Sequence, residues 1–233
     1  MRYAIVLEYD GANYYGFQRQ RNFPSVQQTV EEALSLKLQC PITLIASGRT
    51  DTGVHAMAQV AHFDCDVEID ASDFGFRVNP LLPRDIAIKA CYRVDESFHA
   101  RFAAKRKTYV YRVYLSKIHA PLKEKYCHVC FYDVDVDKMK AACRALVGEH
   151  DFRAFMLSES KMDNTVRTLY DVHIDVSEEG RQLDFYYTGN GFLHNMVRSL
   201  TGPLIDIGRG RFPADAMEVI IAGKKRAPAG TTV

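Results

Sequence analysis

Apolar positions along the chain fall into strand-like and helix-like stretches, and the same order of stretches occurs twice. Residues 3–9 read as a strand. After a polar, aromatic loop, Pro24 and Ser25 open a helix in which Val26, Val30, Ala33, Leu34 and Leu38 keep helical spacing, and Ser25 with Gln28 is placed as a capping box. Residues 59–63 and 86–93 are further strands, and residues 70–78 form a short helix that ends before Pro80. The first half closes near Arg101.

The second half opens with a strand over residues 107–115, where Tyr109, Tyr111, Val113 and Leu115 share one face and Thr108, Val110, Arg112 and Tyr114 the other. Asp137 is placed to cap a helix with Met139, Ala142, Cys143, Leu146 and Val147 as its apolar stripe, stopped by Gly148. Residues 166–176 and 182–188 make a hairpin about Glu179 and Gly180. From Phe192 a long helix turns Leu193, Met196, Val197, Leu200 and Leu204 inward, and Pro203 kinks it or ends its first part. The spacing divides the chain into an α+β half over residues 1–104 and a second over residues 105–233.

The stretch richest in chemistry lies between two of the first-half strands. Residues 48–56 read Gly-Arg-Thr-Asp-Thr-Gly-Val-His-Ala, so Arg49, Asp51 and His55 stand on a loop whose glycines permit a tight backbone and close approach to a ligand. An Asp in such a loop more commonly closes an Asx-turn, and His55 serves equally as a structural loop residue. On the last helix His194 and Arg198 are four apart and share a face. A guanidinium beside an apolar stripe calls for an acid, for which Asp51 is a candidate, or else it snorkels to solvent.

Composition narrows the class. With 233 residues, 47% of them hydrophobic and 25% charged, the chain can bury a real core. Its apolar runs are too short for a membrane span, and the first ten residues lack the pattern of a secretory signal, so a cytoplasmic location is expected. Six cysteines without framework spacing imply reduced thiols. Cys127 and Cys130 form a single CxxC around His128, but zinc usually needs two such pairs, and a strand over residues 126–132 puts these two on opposite faces. No metal is expected. Net charge is only +1, so the whole-molecule field does not announce nucleic acid, and phosphate binding would rest on local clusters, each of which reads by itself as a solvated surface before a binding patch: Arg19 and Arg21; Arg101 with Lys105, Arg106 and Lys107; Arg209 and Arg211; Lys224, Lys225 and Arg226.

Five blocks in order then carry a resemblance. YDGANYYGFQRQ with SVQQTVEEAL, GRTDTGVHA, FHARFAAKRKTYVYRV, GEHDFRAF at 148–155 and GNGFLHNMVRSLTG at 189–202 resemble the tRNA pseudouridine synthase A family over nearly the whole chain. The resemblance implies an enzyme that isomerises uridine to pseudouridine at positions thirty-eight to forty of the tRNA anticodon stem-loop, without metal or organic cofactor. It implies Asp51 as the catalytic aspartate, Tyr109 as the tyrosine packing on the target base and Arg198 as the arginine pairing with the aspartate. Arg49 and His55 would help displace the base or hold its phosphate, since a stem uridine must be flipped out to be reached.

The resemblance also implies two ferredoxin-like halves joined into one extended, mostly antiparallel sheet, with helices on one face and a central basic cleft, working as a homodimer. The loop over residues 13–21, mixing Tyr14, Tyr15, Phe17, Gln18, Arg19 and Arg21, suits contact with RNA. Family members continue past residues like 227–232 into a short final strand, whereas this sequence stops at Val233. The expectation is a shortened C-terminus, and a native extension would then raise thermal stability. Two other readings stay open: a non-catalytic RNA-binding module that does not need Asp51, and a metal enzyme built on Cys127, His128 and Cys130.

Overall fold

The computed structural model describes residues 1–156 and 164–223; the basic run Lys224, Lys225, Arg226 and the C-terminal segment 227–233 lie outside the described residues. The architecture is α+β, with two compact units, Met1–Lys105 and Arg106–Val233.

In the first unit, β1 (Arg2–Tyr9) is a central strand because every second side chain, Tyr3, Ile5, Leu7 and Tyr9, is apolar and buried. It pairs antiparallel with β3 (Ala56–Asp64) on one side and β4 (Ile86–Val94) on the other, and β2 (Ile45–Ala46) adds the edge beyond β3. Helix α1 (Val26–Leu38) joins the same core through Val26, Val30, Ala33 and Leu34. Its start is the expected one: Ser25 Oγ accepts from the Gln28 amide at 3.3 Å. The capping box is only half made, because the Gln28 side chain bonds forward to Glu32 instead of returning to Ser25.

The short helix expected over residues 70–78 is shorter still. Only α2 (Phe74–Val78) is helical, and the chain then passes through Pro80 as a 3₁₀ turn, Asn79–Leu81. Proline is tolerated there because the first amides of a new turn need no partner. Asn79 explains the tight junction, since its side chain donates to Ile88 O at 3.1 Å and accepts from Ile88 N at 2.8 Å. The last element of the unit is α3 (Ala100–Ala103), capped by His99.

The second unit builds a five-stranded sheet in the order β6-β5-β9-β8-β7. Strand β5 (Lys107–Leu115) pairs antiparallel with β9 (Gln182–Gly189) and parallel with the short β6 (His128–Cys130). Strand β8 (Val166–Ser177) forms the expected hairpin with β9, its turn carried by left-handed residues Glu178, Glu179 and Gly180, and β7 (Gly148–Asp151) closes the edge. A short helix α4 (Pro121–Glu124) precedes β6. The strand expected over residues 126–132 contracts to three residues, leaving Cys127 outside it and Cys130 buried in the core.

Two helices are displaced from their expected starts. The first, α5 (Val136–Cys143), is capped by Asp135, whose side chain accepts from Lys138 N at 3.1 Å, and not by Asp137, which falls in its first turn. It ends at Cys143, followed by a 3₁₀ turn, so Gly148 opens β7 instead of stopping the helix. The second, α6 (Met196–Gly208), begins four residues later than expected because Asn195 is left-handed, with φ of 57°. It continues unbroken through Pro203, and Leu200, Leu204 and Ile207 join the core of the unit. The last helix is α7 (Ala216–Gly223).

Candidate active site

The loop over residues 48–56 is fastened along its length by the segment that follows β1. Phe17 N donates to Thr50 O at 3.1 Å, Gly53 N donates to Tyr14 O at 3.2 Å, and the Tyr9 and Thr50 hydroxyls pair at 2.8 Å. Val54 N closes a turn onto Asp51 O at 3.1 Å, with Gly53 at its third position supplying a φ of 75°. These bonds hold Asp51 half-buried on a constrained backbone. Two glycines make the approach possible: a Cβ at Gly11 would lie 2.1 Å from Val54 O, and one at Gly16, whose φ is 91°, would lie 2.7 Å from Thr50 O.

His55 takes part in this fastening. Its Nδ1 lies 3.0 Å from Gly11 N and 2.9 Å from Asp10 Oδ1, so the neutral ring accepts from the amide and the protonated ring donates to the carboxylate. Arg49 is different, being exposed, and among the described residues it makes no ion pair. The bracing is supported in turn by Asp85, which accepts from Tyr14 Oη at 2.7 Å and Asn13 Nδ2 at 3.1 Å. Burial, with the Asp85 carboxylate beside it, pushes the Tyr14 phenol well up, so it stays protonated and donating.

In the second unit Tyr109 stands half-buried on β5, opposite Tyr187 of β9. Its ring meets Phe192 edge to face, with centroids 4.9 Å apart and planes at 70°. Phe192 is held by the turn before it. Asn190 N donates to Thr168 O and Asn190 Oδ1 accepts from Thr168 N, both at 3.0 Å, which clamps the 189–192 segment to β8. Arg198, exposed in the first turn of α6, lies near Tyr111, two residues along the Tyr109 face of β5: burial pushes the Tyr111 phenol up and the guanidinium works against it. His194 precedes the helix, so it does not share a helical face with Arg198 as its spacing implied.

Sequence reasoning put Arg49, Asp51 and His55 on one loop, and the structure places Tyr109 and Tyr111 on one face of β5 with Arg198 near Tyr111. Sequence reasoning missed the supporting residues Asp10, Gly16, Asp85, Asn190 and Phe192. Glycines at 11 and 16 in a segment already singled out were the available signal; Asp85, far away in sequence, offered none. Burial pushes the Cys127 thiol up, Cys130 is buried among core side chains, and among the described residues no three His, Cys, Asp or Glu side chains gather as a metal site.

The first unit thus carries a half-buried carboxylate on a constrained, glycine-bearing loop, and the second carries an aromatic face backed by a second ring. Comparison with known proteins gives these elements a context. A family model described as tRNA pseudouridine synthase matches residues 5–103 and 142–233. A tRNA pseudouridine synthase A from a Thermoanaerobacter species is 40% identical over 228 residues, covering 98% of this chain and 93% of the relative. The proteins of that name from Bacillus licheniformis and Listeria monocytogenes are 39% and 41% identical over 234 and 223 residues, covering 100% and 95% of this chain and 94% and 90% of the relatives. With both units matched and identity sustained along nearly the whole length, the chain belongs to the tRNA pseudouridine synthase family, a family of isomerases.

Proposed function

We propose that this protein isomerises uridine to pseudouridine at positions thirty-eight to forty of the tRNA anticodon stem-loop, with Asp51 as its catalytic carboxylate and no metal or organic cofactor. The observation that carries the reading is the fastening of Asp51. In a chain of this family, the loop backbone on either side of Asp51 is held by the bonds Phe17 N to Thr50 O and Gly53 N to Tyr14 O, which constrains the backbone that carries the loop's one carboxylate before substrate arrives.

Asp51 acts at the sugar in one of two ways: it attacks C1′ to give a sugar ester, or it takes the C2′ proton so that a glycal forms. In either route the C1′–N1 bond breaks with its electron pair leaving on uracil. The base turns and C5 bonds to C1′, either as the ester C–O bond breaks and releases the Asp51 carboxylate or, in the glycal route, as Asp51 returns the proton to C2′; the C5 proton is then lost to solvent and N1 takes up a proton. Tyr109, backed by Phe192, packs on the base and tolerates both of its orientations, because stacking does not demand fixed hydrogen bonds. We assign Arg198 to the pairing with the catalytic aspartate that the family resemblance implies. Arg49, exposed on the loop, takes the space or phosphate of the flipped nucleotide, and His55 holds the loop that carries both. The protein works in the cytoplasm as a homodimer, and light scattering on the pure protein should give the mass of two chains.

Modification mapping of the anticodon arm tests the target. Cells lacking the protein should lose pseudouridine at positions thirty-eight to forty and regain it with the wild-type chain but not with Asp51→Asn. An unchanged map in the deletion strain would contradict the assignment.

A further inference from the structure

The segment between β1 and α1 contains a surface that the reaction at Asp51 does not use. Tyr14 and Phe17 are buried beneath the 48–56 loop, but Tyr15 and Phe23 are 45% and 47% exposed although their rings pack together with centroids 4.3 Å apart. Two large rings held this way normally hide their outer faces in a core.

The pair is fixed firmly. Tyr15 N donates to Pro24 O at 2.9 Å, closing the ends of the loop that carries the rings. Gln20 Nε2 donates to Tyr15 O at 2.6 Å. Arg19 is tied to the buried Glu31 at 2.7 Å, and its backbone amide donates to Gln27 Oε1 at 3.0 Å. That anchors the middle of the loop and leaves Arg21 exposed. On either side of Tyr15, the backbone of Tyr14 and of Phe17 bonds directly to the loop of Asp51. The ring pair is thus one residue from a strut of the catalytic loop.

We propose that Tyr15 and Phe23 form a stacking platform for an unpaired RNA base close to the target uridine, with Arg21 taking a phosphate of the same strand. The inference rests on the reading of the protein as a tRNA-modifying enzyme and adds a base subsite to it. The occupant is RNA because the rings' polar neighbours are Gln18, Gln20, Arg19 and Arg21, with no acid exposed between residues 11 and 24. An aromatic face beside guanidinium and amide donors suits a base on its phosphodiester backbone, and it gives an acyl chain or an apolar helix no continuous surface.

The chain has no tryptophan, so Tyr15→Trp introduces a single indole, excited selectively at the red edge of the tyrosine band, and preserves an aromatic ring at this position. The emission of this variant should fall on titration with unmodified tRNA transcript, saturating with turnover. Tyr15→Ala with Phe23→Leu should raise KM for tRNA by roughly tenfold with kcat within about twofold, as expected for one stacked base. Tyr15→Phe should leave KM unchanged. If the wild type turns over tRNA while the indole emission of Tyr15→Trp stays constant at saturation, or the Tyr15→Ala, Phe23→Leu variant keeps wild-type KM, the platform is overturned and the catalytic reading stands. If emission falls on tRNA but the wild type turns nothing over, the platform stands and the catalytic reading fails.

Discussion

Gly16 and Gly53 bear on the same loop through different physics. At Gly16 a side chain would meet Thr50 O at 2.7 Å from a backbone with φ of 91°, so Gly16→Ala should cost about 2 kcal/mol or more in urea unfolding and reduce turnover by displacing Thr50 beside Asp51. Gly53 has nothing within 4 Å of its absent Cβ, and its φ of 75° is one that asparagine adopts, so Gly53→Asn should cost less than about 1 kcal/mol. Equal losses in the two variants would show that conformation alone, and not the close approach of residues 14–17, holds the loop. At this scale the sequence was most legible where chemistry is local. The nonapeptide displayed Arg49, Asp51 and His55 together, but bonding from Tyr9, Gly11 and Phe17 joins positions far apart in the chain, which no spacing rule reaches.

Among the elements, strands and helix interiors followed their periodicity, while helix ends followed geometry that periodicity does not encode. Asp135 and Asp137 are equally good capping residues by type, and Asp135 takes the role because its backbone is the extended one. In α6 the apolar rhythm runs back to Phe192, but the left-handed Asn195 delays the helix and frees Phe192 to meet Tyr109. Where sequence and structure agree, the cap can be tested: Ser25→Ala removes the buried hydroxyl that accepts from Gln28 N and should destabilise the protein by about 1 kcal/mol. The β1–β3 pairing is fastened at its end by Arg2, which bonds both oxygens of Asp64 at 2.8 Å. That hydrogen-bonded guanidinium holds the Asp64 carboxyl below the usual carboxylate range. A depressed pKa stabilises the fold at pH above the unfolded value and loses that contribution as pH falls through the folded one. Thermal melts should therefore show wild type above Asp64→Asn at neutral pH, with the gap closing below about pH 4. A gap independent of pH would mean that charge has no part in it.

For the whole molecule, near-neutral overall charge makes RNA affinity depend on placed residues and not on a general field. Arg21→Ala should flatten the salt dependence of tRNA binding by about one counterion. An unaltered slope would remove Arg21 from the RNA contact. Membership in a tRNA pseudouridine synthase family was legible in the five motif blocks and is supported by matches across both units. The most direct measurement of the central claim is tritium release from tRNA carrying 5-tritiated uridine, because forming the new C5–C1′ bond expels the hydrogen at C5. The wild type should release tritium from the anticodon arm, and Asp51→Asn, folded and binding tRNA as before, should release none above background. Release by Asp51→Asn at the wild-type rate would contradict the assignment of Asp51, and no release by the folded wild type would contradict the activity itself.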